Sequence, residues 1–131
     1  KECAKQERFP QATEILVVPY TEGVKNYPLN QNTYVVLVTP GHVHDKDCLK
    51  ILLQKKEAAY IGMLCSRRRK EATWKLMRAE GYAQEELDRI FAPVGLPTGG
   101  ETPQEIALSI IAEIVAIRNK GENWVWDIKK K

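Results

Sequence analysis

The chain has little cysteine, few aromatic residues and no long apolar run. Its three cysteines, Cys3, Cys48 and Cys65, are odd in number and far apart in 131 residues. They form no Cys-x-x-Cys pair and no disulfide framework, which favours a reducing cytoplasm over a secreted scaffold. No apolar stretch approaches the roughly 18 residues that a membrane helix needs, so a transmembrane protein is excluded. The opening KECAKQERFP is charged rather than apolar, and no signal peptide is read in it. Neither Gly-x-Gly-x-x-Gly nor the Walker A pattern occurs. Excess charge is small as well. Twenty Lys plus Arg against 17 Asp plus Glu give +3, too little by itself to argue for nucleic acid. What is present is 44% hydrophobic and 28% charged residues, enough for a packed core and incompatible with disorder. A single domain over 1–131 is expected, with its core at about 14–118 and a tail at 119–131.

Strand-like and helix-like stretches alternate. Residues 14–18 (Glu-Ile-Leu-Val-Val) read as a short strand closed by Pro19, and the polar stretch after it as loop. Residues 34–38 (Tyr-Val-Val-Leu-Val) read as the strongest strand, apolar on both faces like a central parallel strand. Asp45 can cap a helix over about 46–55, with Cys48, Leu49, Leu52 and Leu53 on one face. Residues 59–64 form the next strand. Ser66 caps a helix from Arg67 to about Glu80, which Gly81 ends. A short helix over 84–90 and an extended run at 91–95 follow. Thr102, Pro103 and Glu105 make a capping box for a last helix. Residues 106–117 of that helix are apolar on nearly all sides, which implies burial against the sheet or another subunit. Trp124-Val-Trp126 could be an edge strand or a docking tail. This alternation predicts an α/β domain with a mostly parallel sheet.

In such a sheet, ligands bind beyond the carboxyl ends of the strands. Three loops lie there, and they hold the unusual residues. The first, 39–45 (Thr-Pro-Gly-His-Val-His-Asp), places His42 and His44 to contact a small molecule. With Asp45 they could make a partial metal site, but no third soft ligand is near in sequence. The plain alternative is a helix cap with two loop histidines. The second loop leads into Ser66-Arg67-Arg68-Arg69-Lys70. Cations at a helix start oppose the partial positive charge of the N-terminus, at roughly 0.3–1 kcal/mol each. A bound anion removes that conflict, because free N–H groups and guanidinium forks both accept a phosphate. Successive helical residues point about 100° apart, so Arg67 and Arg68, with Ser66, are the expected ligands. A solvated basic patch is the alternative. Cys65 beside these cations should have a lowered pKa, or else be a small core hydrophobe. The third loop, 95–102 (Gly-Leu-Pro-Thr-Gly-Gly-Glu-Thr), permits close backbone approach. It could be a second wall of an anion site, or only a turn into the last helix. Tyr60 and the tryptophans read as core or interface.

Three stretches together resemble the carboxyl-terminal Rossmann-like domain of the xanthine dehydrogenase accessory factors, the XdhC/CoxI family. They are YVVLVTPGHVHD (34–45), AYIGMLCSRRRK (59–70) and APVGLPTGGETPQEIA (92–107). Glu7-Arg-Phe-Pro10 also looks like the family's segment after its second strand. The resemblance implies a Rossmann-like three-layer domain with a mostly parallel sheet, lacking the family's first βαβ unit. It also implies a cytoplasmic accessory protein, a chaperone rather than an enzyme. Such a protein binds molybdenum cofactor and delivers it, in sulfurated form, to a molybdenum hydroxylase such as xanthine dehydrogenase, with a cysteine desulfurase as a possible second partner. The expected cofactor-binding residues are His42, His44, Asp45, Gly62, Cys65, Ser66, Arg67, Arg68, Gly95, Thr98, Gly99 and Thr102, with no catalytic residue and no metal ligand. An unpaired sheet edge and the apolar last helix suggest a homodimer. Two alternatives stay open. One is an NAD(P)-dependent oxidoreductase-like domain. The other is a nucleic-acid-binding module using residues 67–70 and the lysine tail, against which the low aromatic content, 8%, counts.

Overall fold

A computed structural model describes residues 4–40 and 44–130. Among them, six helices and three strands follow in the order α1 (Tyr20–Asn26), β1 (Tyr34–Leu37), α2 (Asp45–Lys55), β2 (Tyr60–Met63), α3 (Arg67–Ala79), α4 (Gln84–Leu87), β3 (Ile90–Phe91), α5 (Pro103–Lys120) and α6 (Glu122–Lys129). The strands form one parallel sheet in the order β1-β2-β3, with Tyr34 opposite Tyr60 and Ile61 opposite Ile90. No helix of the described residues is long and apolar enough to cross a membrane.

Strand side chains alternate between two faces, and each face has its own core. Leu37, Ile61, Met63 and Ile90 pack with Cys48, Leu49, Leu52 and Leu53 of α2 and Trp74 and Met77 of α3. Tyr60 and Phe91 pack with Ile110 and Ile117 of α5 and Val125 of α6. The result is three layers, α2/α3, sheet and α5/α6. Each leucine buried in the first core contributes about 1.5–3 kcal/mol.

Five expectations need correction. Residues 14–18 form no strand, and Leu16, Val17 and Val18 are about half exposed. A β-rich run is a strand only when a neighbour satisfies its backbone, and none pairs with it here. The stretch after it is partly helical, as α1. Lys55 of α2 holds that helix by donating to the carbonyls of Val24 (2.9 Å) and Tyr27 (2.8 Å). β1 is an edge strand and β2 the central one, buried along all four residues. Trp124-Val-Trp126 lies in a helix, not a strand: α6 docks with Val125 fully buried and Trp126 stacked on Phe91 at 4.2 Å. The apolar last helix is buried on one side only. Leu108 (67%) and Ile111 (58%) remain exposed on the other.

Candidate functional site

The start of α3 is built as its sequence implies. Ser66 is the N-cap, and its Oγ accepts from the Arg69 N–H at 3.1 Å. The first turn contains no acid. Arg67, Arg68 and Arg69 are exposed, and among the described residues none has a side-chain hydrogen bond or ion pair. The electrostatic conflict at this N-terminus is therefore unrelieved among the described residues.

The 95–102 loop faces it. Gly95 has φ +102°, and a Cβ there would lie 2.5 Å from Ser109 Oγ, so only glycine fits. Its N–H donates to Glu113 Oε2 at 3.1 Å, and the Leu96 N–H donates to the Ser109 carbonyl at 3.1 Å. At the far end the capping box of α5 forms as expected. Thr102 Oγ1 accepts from the Glu105 N–H, while Glu105 Oε1 accepts from the N–H groups of Glu101 (3.0 Å) and Thr102 (3.1 Å). These bonds hold Glu105's carboxyl below its ordinary range, the Thr102 N–H contributing most. Between α3 and this pinned loop is a cleft of about 280 Å³. Arg67, Gly95, Thr98, Gly99, Ser109 and Lys129 are among its lining residues.

Beneath the cleft lies an ion pair that sequence reading missed. Glu113 is fully buried in α5. Its Oε2 also accepts from the Tyr60 hydroxyl at 2.5 Å, and its Oε1 accepts from Lys129 Nζ at 2.5 Å. Lys129 donates a second bond to the Pro93 carbonyl at 2.8 Å, and its side chain is only 12% exposed. Its ammonium also sits 5.5 Å from the centre of the Phe91 ring. Burial lowers the Lys129 pKa, the Glu113 bond partly restores it, and nearby Lys70 and Arg67 lower it further. The Tyr60 pKa is driven far up, first by burial and then by Glu113. One signal for Glu113 was present: it is the only charged residue in the apolar run 106–117. Lys129 had no such signal, because it sits in a lysine-rich tail.

The structure gathers some of the expected residues and separates others. Arg67, Gly95, Thr98 and Gly99 line the cleft together. Ser66 and Thr102 do not line it but cap α3 and α5, whose Arg67, Ile106 and Ser109 do. Arg68 is exposed and does not line it. Gly62 is buried beneath the site, where a Cβ would meet Val94 Cγ2 at 2.6 Å, so its glycine serves packing. Asp45 is not the cap of α2 but its first residue. It is buried and accepts from Thr39 Oγ1 at 2.5 Å, while exposed His44 takes the N-cap position with its ring 5.1 Å from Tyr20. His42 lies outside the described residues, as does Cys3. Cys65 corrects an expectation: its pKa is raised, not lowered. Burial is the main cause and Asp45 the next, and together they outweigh Lys70, Arg69 and Lys129. Cys65 packs against the α2/α3 core.

A three-layer parallel α/β domain with its cleft at the strand ends defines a Rossmann-like domain. The XdhC Rossmann domain matches residues 1–114, and the chain belongs to that family. It is 33% identical over 122 residues to the uncharacterized protein YqeB of Escherichia coli K12, covering 92% of this chain and 22% of that protein. It is 28% identical over 112 residues to a probable xanthine dehydrogenase subunit of Bacillus subtilis 168, covering 86% and 32%. A crystal structure described as a xanthine dehydrogenase from Bacillus halodurans superposes with a TM-score of 0.74 at 30% identity, covering 91% of this chain and 33% of that one. The chain thus spans about a fifth to a third of the length of these relatives.

Proposed function

We propose that this domain binds molybdenum cofactor and serves the maturation of a molybdenum hydroxylase of the xanthine dehydrogenase type, as an accessory factor rather than an enzyme. One observation carries the reading: Arg67, at an N-terminus with no acid in its first turn, faces the pinned Gly95 loop across a cleft of about 280 Å³. The cofactor's phosphate is the group that such a cleft takes. Unpaired guanidinium and backbone N–H groups hold phosphate with charge-assisted bonds worth about 1.5–3 kcal/mol each. Thr98 adds a hydroxyl beside it. The family and the xanthine dehydrogenase name of one relative support the hydroxylase as the receiving partner. A cysteine desulfurase as the source of the cofactor's terminal sulfur belongs to the same reading.

The test is purification from cells that make the cofactor, followed by oxidation and fluorescence measurement of pterin per chain. Pterin should co-purify with the native protein and fall at least tenfold with Arg67→Gln, while folding is retained. Pterin at the level found in cofactor-deficient cells would overturn the proposal. Tight NAD(P) in place of pterin would redirect it to the oxidoreductase-like alternative.

A further inference from the structure

The arginine-facing cleft does not end at Lys129. A second cleft, of about 300 Å³, shares Arg67, Pro93 and Lys129 with the first and continues along Lys70, Trp126 and Lys130. Helix α6, which supplies Trp126, Lys129 and the path to Lys130, lies beyond residue 114, where the family match ends. On α3, Arg67 and Lys70 are three residues apart and so share one helix side, while Arg68 and Arg69 project elsewhere. α6 is firmly seated by the Trp126–Phe91 stack and by the buried Lys129–Glu113 pair. Glu113 balances the single charge of Lys129, so the net positive charge along the second cleft comes from the neighbours of Lys129. Arg67, Lys70 and Lys130 have no side-chain hydrogen bond or ion pair among the described residues, and the one acid lining the second cleft is Glu71. Two connected clefts with a cationic wall between them suit two linked anions better than one.

We propose that α6 adds a second anion subsite to the domain, formed by Lys70, Lys129 and Lys130. With Arg67 shared between the two clefts, the combined site selects a ligand carrying a diphosphate over one carrying a single phosphate. The inference deepens the cofactor-binding reading by naming the phosphorylation state of its ligand, yet it can fail independently. Burial lowers the Lys129 pKa, and its bond to Glu113 opposes that shift. Trp126 supplies a flat apolar floor beside the cations, suited to a ring attached to the diphosphate.

The probes are inorganic diphosphate and inorganic phosphate, with calorimetric titration of the full chain at fixed ionic strength. Diphosphate should bind at least tenfold more tightly than phosphate. Lys70→Gln/Lys130→Gln should reduce that preference to less than threefold while changing phosphate affinity less than twofold. Arg67→Gln should weaken both anions. Arg68→Gln/Arg69→Gln removes the same number of charges outside the clefts and should leave the preference intact. Equal binding of the two anions overturns the proposal. So does loss of the preference in the Arg68/Arg69 variant, which would reduce it to net charge. Because no pterin is used, either outcome leaves the cofactor test to stand or fall alone.

Discussion

The two faces of the sheet are built on different physics. Toward α2 and α3 the core is Leu37, Leu49, Leu52, Leu53, Ile61, Met63 and Met77 with buried Cys48, and the buried Asp45 at the start of α2 accepts from Thr39 Oγ1. Toward α5 and α6 the core surrounds Glu113, with Tyr60, Gly95 and Lys129 bonded to its carboxylate. Burial of apolar area is the main stabilising contribution on the first face. The second holds a desolvated ion pair, which rarely stabilises more than well-packed apolar residues would. Its polar atoms instead fix the Gly95 loop and the last turn of α6 at the cleft. One face supplies stability and the other supplies geometry.

Breaking the second face should have the largest effect. Glu113→Ala strands a buried ammonium, a hydroxyl and the Gly95 N–H, and should destabilise by about 3–5 kcal/mol in urea denaturation. The triple change Glu113→Leu, Lys129→Met and Tyr60→Phe should recover at least half of that, while anion binding stays lost. If the triple variant is as unstable as Glu113→Ala, the pair is a net stabiliser and the contrast between the faces fails.

Leu49→Ala on the opposite face should cost about 2–5 kcal/mol through a cavity. Anion affinity per folded molecule should stay within twofold of the native protein. A larger drop in affinity would show that the first face also shapes the site.

Gly95→Ala sharpens the comparison at the loop itself. Positive φ and contact with Ser109 Oγ should cost about 1–3 kcal/mol. Calorimetric phosphate affinity should fall as the loop shifts, and Gly95→Ala/Ser109→Gly should restore part of it. Unchanged affinity in Gly95→Ala would show that loop position is irrelevant to binding.

The smallest effect should come from acid. Glu105's carboxyl is held below its unfolded value of 4.5, so it contributes stability that is present above that value and is lost as pH falls through the folded one. The native protein should exceed Glu105→Gln slightly in thermal stability at neutral pH, and the two should converge below the ordinary carboxyl range. A gap that persists at low pH would remove the carboxylate's charge from the account.

The caps, strands and last helix were legible because their signals are local. Ser66, Thr102 with Glu105, and the apolar run that became β2 work through residues within a few positions of one another. Three of the four expected residues that reached the cleft, Gly95, Thr98 and Gly99, sit in one short segment opposite Arg67. The errors share the opposite property. Residues 14–18 have strand propensity, but pairing decides strands. The thiol of Cys65 was judged by its charged neighbours in sequence, whereas burial and Asp45, twenty positions away, set its direction. α1 was hidden because its carbonyls are satisfied by Lys55 from another helix.

Composition and pattern alone determine an α/β chain, the alternation of its strands and helices, and a misplaced positive charge at the start of α3, since propensity, capping and periodicity are short-range. Only the folded arrangement decides that Glu113 is a hub rather than a surface acid, that Lys129 of α6 belongs to the cleft, and that Arg67 rather than Arg68 faces the glycine loop. The bonds at that hub alone join residues 16 to 53 positions apart, and which distant groups share a low-dielectric interior is set by packing three layers together, a choice that local sequence does not encode.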